Sequence, residues 1–133
     1  MKSVSNTYLK VNASSQWGIQ LKESGKIIGV TGFISIEFDH ERGEIAYIMS
    51  PLYSGRGLMT EANYAVLNYG FDDLGLNRVQ AKAELTNISS QKVLEKLNFS
   101  KEGVFRDYLK IKGSLRTYAY YSILKNEFSK NVI

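Results

Sequence analysis

The hydrophobic and polar positions of this chain recur in a pattern that predicts six strands and two helices. Ile45, Tyr47 and Met49 alternate with smaller or polar neighbours, which is the period of a strand over 44–49. Pro51 ends that strand, because proline has no N–H to donate to a ladder. From Thr60 onward Ala62, Ala65, Val66 and Tyr69 fall at helical spacing, so a helix is expected over 60–74, with Gly75 stopping it. Upstream, 17–21 and 27–36 read as two strands joined by a loop with Gly25 where a positive φ is wanted, and the polar stretch 37–43 is a second hairpin connection. Downstream, 78–85 is a strand that must run parallel to 44–49, since a helix crosses between them. A second helix over 88–97 carries Val93, Leu94 and Leu97 on its apolar stripe, and 102–112 with 116–124 close the chain as a hairpin around Gly113 and Ser114. Residues 1–15 give no clear period and read as a helical remnant or a loose arm, and 125–133 as a polar tail. This is an α+β chain with a mostly antiparallel sheet, and 133 residues make one domain, 1–133, with a core of its own.

Composition narrows the classes. With 44% apolar and 23% charged residues no long disordered segment is expected. The net charge of +4 suits an acidic ligand or a ribosome-associated partner and equally suits plain solvated surface. The absence of cysteine excludes disulfides, thiolate metal sites and a cysteine nucleophile. The single histidine, His40, lies in a polar loop run, so no metal is expected. Neither a signal-peptide core nor an apolar run of membrane-spanning length is visible, which leaves the cytoplasm as the default compartment and no membrane partner. Basic residues are scattered without aromatic interleaving, so direct nucleic-acid binding is the weakest reading.

Chemistry concentrates where the 44–49 strand turns into the following helix. Gly55 and Gly57 let the backbone turn with N–H groups outward at a helix N-terminus, and free N–H groups at the positive end of a helix dipole make an anion site. A nucleotide P-loop would need a lysine after Gly57, and a dinucleotide fingerprint a third glycine where Thr60 stands and an acidic residue where Gln80 and Lys82 flank Ala81; neither is present.

The run Gly55-Arg56-Gly57-Leu58-Met59-Thr60-Glu61-Ala62 resembles the pyrophosphate loop of the acetyl-coenzyme A-dependent GNAT superfamily, in the form used by its RimJ/RimL branch, which acetylates N-termini of ribosomal proteins. The later stretch 87–99, N-I-S-S-Q-K-V-L-E-K-L-N-F, is similar to that branch's second motif, with Asn98 where the family has glycine; asparagine is the residue that best tolerates the same left-handed turn. The two motifs stand in the right order, and the resemblance covers most of 17–124. It implies a GNAT-like fold with a splayed parallel pair of strands, acetyl-CoA as co-substrate, and direct attack by a primary amine in a ternary complex. The family's opening strand and most of the helical pair after it have no counterpart in the pattern of residues 1–15. The strand at Trp17 is then an uncovered edge, which a second copy of the chain is expected to cover.

Roles follow from the resemblance residue by residue. The N–H groups of Gly55, Arg56, Gly57, Leu58 and Met59, with Thr60, receive the pyrophosphate; Leu52 stands where many members have Gln or Arg. Arg56 is a phosphate clamp or a surface charge. The N–H of Ile48 or Met49 serves as oxyanion donor. Asn87 contacts the coenzyme arm, caps the second helix, or does both. Glu44 is the candidate base, for an α-amine of pKa about 7.7–8.0 that demands little of it, and its bland alternative is a solvated strand-end charge. Glu61 is accounted for by the helix dipole. The family's acid tyrosine is matched by Leu94, so the acid role falls to Ser90, which as a structural residue would cap the helix; Tyr108, Tyr118 and Tyr120 stand behind it. Three functions compete: acetylation of a protein N-terminal α-amine, acetylation of a small amine such as a polyamine or aminoglycoside, and coenzyme binding without turnover.

Overall fold

The computed structural model describes residues 2–3, 6–13 and 15–128, the side chains of 2, 3, 8 and 10–13 excepted. Its strands are β1 (Lys2–Ser3), β2 (Thr7–Ala13), β3 (Gln16–Leu21), β4 (Ile27–Glu37), β5 (Arg42–Met49), β6 (Arg78–Glu84), β7 (Ser100–Ile111) and β8 (Ser114–Leu124). Two helices, α1 (Leu58–Asn68) and α2 (Ile88–Lys96), follow β5 and β6. All eight strands form one sheet in the order β1-β2-β3-β4-β5-β6-β8-β7, antiparallel throughout except for the β5–β6 pair.

Strand periodicity decides which face is covered. Val79, Ala81 and Ala83 of β6 and Ala119, Tyr121 and Ile123 of β8 are buried beneath the helices, where they meet Val66 and Leu67 of α1 and Leu94 of α2. The alternate residues face the other side, and Val30, Ile34 and Ile48 are exposed there. The helix expected over 60–74 is interrupted: after Asn68 a π turn over Tyr69–Asp73 takes over, with Leu74 N–H donating to Tyr69 O at 3.1 Å, before Gly75 (φ 68°) ends it. Asn98 takes the left-handed conformation (φ 71°). The closing turn sits one residue earlier than expected, on Lys112 (φ 51°) and Gly113 (φ 79°), the two positive φ values that suit a tight right-twisted hairpin.

The amino terminus corrects the sequence reading. Among its described residues there is no helix and no loose arm; β2 pairs with β3 from Thr7↔Leu21 to Ala13↔Gln16, and Leu9 is fully buried. The edge at Trp17 is therefore covered by the same chain, which removes the reason for expecting a second copy there. Glu61 does more than answer the helix dipole. Its carboxylate accepts from Asn6 N (3.0 Å), Asn6 Nδ2 (3.1 Å) and Thr7 Oγ1 (3.2 Å), tying the start of β2 to α1. At the other end, Lys125–Glu127 form a short 3-10 turn and Phe128 packs on Tyr64 and Phe71, both at 5.3 Å between ring centroids. The rest of the expected polar tail, 129–133, lies outside the described residues. No helix among the described residues is long and apolar enough to cross a membrane.

One ion pair ties β6 to β7 and makes stability depend on pH. Arg78 donates twice to Glu102 (2.7 and 3.0 Å), and Ser122 Oγ adds a third bond at 2.8 Å. Arg78 first, then Ser122, holds the Glu102 carboxyl down to about 2 from its ordinary 4.5. A depressed carboxylate contributes stability that is full above the unfolded value and lost as pH falls from 4.5 towards 2. Glu102 is nearly half exposed, so screening keeps this below about 1 kcal/mol. Glu102→Gln is expected to flatten the stability curve in that window and leave the neutral value lower by a similar amount. A denaturant series between pH 2 and 7 that shows the same acid slope in both proteins would refute it.

Candidate functional site

The parallel pair is short. β5 and β6 are in register only at Arg42↔Arg78, Gly43↔Val79 and Glu44↔Gln80, although β5 continues to Met49 and β6 to Glu84. Beyond Glu44 the two strands part, and a groove of about 310 Å³ opens between the end of β5, the loop before α1, and the first turns of α2. Tyr47 and Ile48 line this groove and also a second cavity on the opposite face of the sheet, shared with Val30, Ile34 and Ala46. At the split the sheet is accessible from both sides.

The open strand end presents a free donor. Ser50 N–H donates to Ile28 O at 2.8 Å, and the Ile48 carbonyl lies against Gly29, so these groups face β4. Strand period two then turns the Met49 N–H towards the gap where β6 has already left. Of Ile48 and Met49, Met49 is the one whose N–H turns into the gap.

The loop supplies more donors. Gly55 (φ 80°) and Gly57 (φ 75°) take conformations that side chains disfavour, and a Cβ at either position would meet nothing within 4 Å. The glycines are there for the backbone turn. Gly57 caps α1 without a side chain, and the first helical bond is Glu61 N–H to Gly57 O, so the N–H groups of Leu58, Met59 and Thr60 have no partner among the described residues. Leu58 and Met59, which line the groove, bury their side chains in the core, and this holds the turn in place. Arg56 is not among the groove's lining residues. Its Nη2 lies 3.6 Å from Glu23 Oε1, and its guanidinium stacks 5.6 Å from the centre of the Tyr53 ring. Leu52, 85% exposed, contributes no polar contact.

Across the groove Asn87 caps α2, its Oδ1 accepting from Ser90 N and Ser89 Oγ, both at 3.1 Å. Ser90 Oγ donates to Tyr47 Oη at 3.1 Å, and Tyr47 Oη donates to the Ser90 carbonyl at the same distance. Burial, which outweighs the Ser90 hydrogen bond, pushes the Tyr47 hydroxyl up to about 12, so Tyr47 stays protonated at any working pH. The serine hydroxyl is thus paired, and Tyr47 is the residue that sequence reasoning passed over. Its only signal was its place in the 45/47/49 alternation. Lys92 and Lys96, one turn apart on α2, also line the groove and were missed, although the helical period puts them on one side.

Glu44 is absent from the groove's lining. It belongs to the opposite face, at the last paired position before the split. Oε1 accepts from Gln80 Nε2 (3.0 Å) and Oε2 from Lys82 Nζ (2.8 Å), leaving its side chain 13% exposed. A solvated strand-end charge would look different. Tyr120 stands beside it, its hydroxyl raised by burial first and then by Tyr108 and the Glu44 charge. Tyr108 and Tyr118 extend this wall as edge-on aromatic pairs. Among the described residues no cluster of His, Asp and Glu could hold a metal ion.

Comparison with known proteins agrees with this arrangement. Residues 2–100 match the family model described as an acetyltransferase (GNAT) domain. The chain is 40% identical over 116 residues to p20, an uncharacterized N-acetyltransferase of Bacillus licheniformis, covering 87% of this chain and 65% of that protein. It is 30% identical to the spermidine N(1)-acetyltransferase of Escherichia coli, covering 78% of this chain and 56% of the relative. A ribosomal-protein-S5-alanine acetyltransferase from Vibrio fischeri superposes with a TM-score of 0.78 at 28% identity, over 86% of this chain and 63% of that one. The chain spans less than two thirds of the length of each of these relatives.

Proposed function

We propose that this chain, which belongs to the GNAT acetyltransferase family, moves the acetyl group of acetyl-CoA to a primary amine, with a protein N-terminal α-amine of the ribosomal-protein type as its acceptor. The observation that carries the reading is the split in the sheet, where Tyr47 and Ile48 are reached from both faces. A donor held in the helix-side groove and an amine arriving over the other face would meet there.

The chemistry of the groove's lining supports the coenzyme reading. Unpartnered N–H groups of Leu58, Met59 and Thr60 sit at the positive end of α1, ready for a pyrophosphate, and Met49 with Val93 offers apolar wall to an extended arm. Bound acetyl-CoA supplies an activated thioester. The protein's part is to place the Met49 N–H against the oxygen that gains charge, to accept the amine's proton at Glu44, and to keep a hydroxyl pair, Ser90 and Tyr47, beside the departing sulfur. Asn87 holds Ser90 in position as a cap. Acceptance of a ribosomal-type α-amine is supported by the Vibrio fischeri neighbour and by the T-E-A and N-x-x-S motifs.

Melting of the protein with and without acetyl-CoA, followed by thiol release with peptide amines, tests the reading. Coenzyme at a hundred times its Kd should raise the melting temperature by roughly 10 °C, and thiol should appear only with an amine present. No shift at saturation would overturn it.

A smaller effect is expected at the loop. Glu23 competes with phosphate for Arg56, so Glu23→Gln should tighten coenzyme binding about two- to three-fold at low salt and hardly at all in 0.5 M salt. Calorimetric titration showing no gain at low salt would count against Arg56 as a phosphate contact.

A further inference from the structure

We propose that Lys82 is a specificity-determining residue, one that restricts the acceptor end of the site to uncharged, low-pKa amines and turns away polycations. The inference rests on the reading of Glu44 as the base.

Both oxygens of Glu44 are already engaged, one by the Gln80 amide and one by the Lys82 ammonium, and the lysine side chain is only 24% exposed. The carboxylate and the ammonium form a pair with no net charge. An amine that came to Glu44 as a cation would gain little from a carboxylate whose charge is compensated. It would also sit roughly 5 Å from Lys82 Nζ, because two nitrogens bound to one carboxylate are held that close. At an effective dielectric near 20, like charges at that distance repel by enough to change affinity about tenfold or more. A neutral amine meets no such penalty, since it needs only a free lone pair on Glu44 to receive its N–H.

Among the described residues, Tyr120 of β8 adds a hydroxyl beside Glu44, raised first by burial, and brings no charge, while Glu84, further along β6, is paired with Arg116 at 2.7 Å. An α-amine is roughly one-tenth neutral at pH 7, whereas an alkylamine of pKa about 10.4 is neutral in well under one part in a thousand. Lys82 converts that difference in population into a difference in acceptance. The spermidine enzyme among the relatives shows that the family can take polycations. In this chain Lys82 stands where such a cation would dock.

The test compares wild type with Lys82→Met and Lys82→Arg, using a lysine-free peptide with a free α-amine and spermidine as acceptors. Lys82→Gln serves as a second uncharged variant, and coenzyme-induced stabilisation identifies the variants that fold. Two quantities are read: the peptide-to-spermidine ratio of kcat/KM from thiol release, and spermidine affinity by calorimetry. The uncharged variants should lower the ratio about tenfold and bind spermidine about tenfold more tightly, while Lys82→Arg keeps both near wild type. An unchanged ratio together with unchanged spermidine affinity in the folded uncharged variants would overturn the proposal. If coenzyme binds but no acceptor releases thiol, the transferase reading fails, and the calorimetry still decides the role of Lys82.

Discussion

Glu44→Gln is expected to lower kcat/KM for the amine acceptor by roughly 10²–10⁴-fold while leaving stabilisation by acetyl-CoA in place, since general-base assistance contributes on that scale. The two effects separate because Glu44 lies on the face away from the coenzyme groove and is not among its lining residues. Glutamine keeps the volume and one acceptor oxygen, so the Gln80 or Lys82 contact survives in part. Its amide cannot take a proton from the attacking nitrogen. The substitution leaves Lys82 poorly paired and should lower the melting temperature by a few degrees, which the coenzyme shift measured on the same variant accounts for. A variant that folds, binds acetyl-CoA and turns over at the wild-type rate would rule Glu44 out as the base.

The second large effect is expected at a residue with no chemistry of its own. Gly29 on β4 lies so close to the end of β5 that a Cβ there would stand 2.4 Å from the Ile48 carbonyl oxygen and 3.0 Å from Met49 Cα. Both are backbone atoms of a paired strand and cannot swing aside. Gly29→Ala should therefore push the strand end towards the gap and displace the Met49 N–H. Overpacking of this kind costs about 1–3 kcal/mol of stability. A misplacement near 1 Å at a donor whose value lies in its position can cost about 100-fold in rate. The loss should appear in kcat more than in coenzyme affinity, because the loop donors at Leu58 to Thr60 belong to a different element. Wild-type kcat in Gly29→Ala would show that the strand end is slack and that the oxyanion donor lies elsewhere.

Most of the secondary structure was legible because it is local. The 45/47/49 alternation, the 62/65/66/69 spacing and the glycine and asparagine stops are read from neighbours in the chain, and each element they predict is present. The glycine turn was legible for the same reason, since a strand stopped by Pro51 and a helix expected from Thr60 leave one place for it. β2 was not legible. Its apolar residues are too few to set a period in the sequence, and what makes it a strand is pairing with β3 and the three bonds that Glu61 accepts from Asn6 and Thr7, across more than fifty residues of chain.

The candidate site divides along the same line. By itself the chain determined which residues could do chemistry: backbone donors at 55–59, a carboxylate at Glu44, a hydroxyl at Ser90, a cap at Asn87. The tertiary structure decided how they stand. It turned Met49 rather than Ile48 into the gap, drew Arg56 away to Glu23, joined Ser90 to Tyr47, and clamped Glu44 between Gln80 and Lys82 on the opposite face. The physical reason is that identity and short-range spacing are properties of the chain, whereas charge compensation, burial and the direction of an N–H depend on what neighbouring strands bring alongside. Glu44 and Lys82 are thirty-eight residues apart and lie 2.8 Å from each other only because two parallel strands pair for three residues and then part.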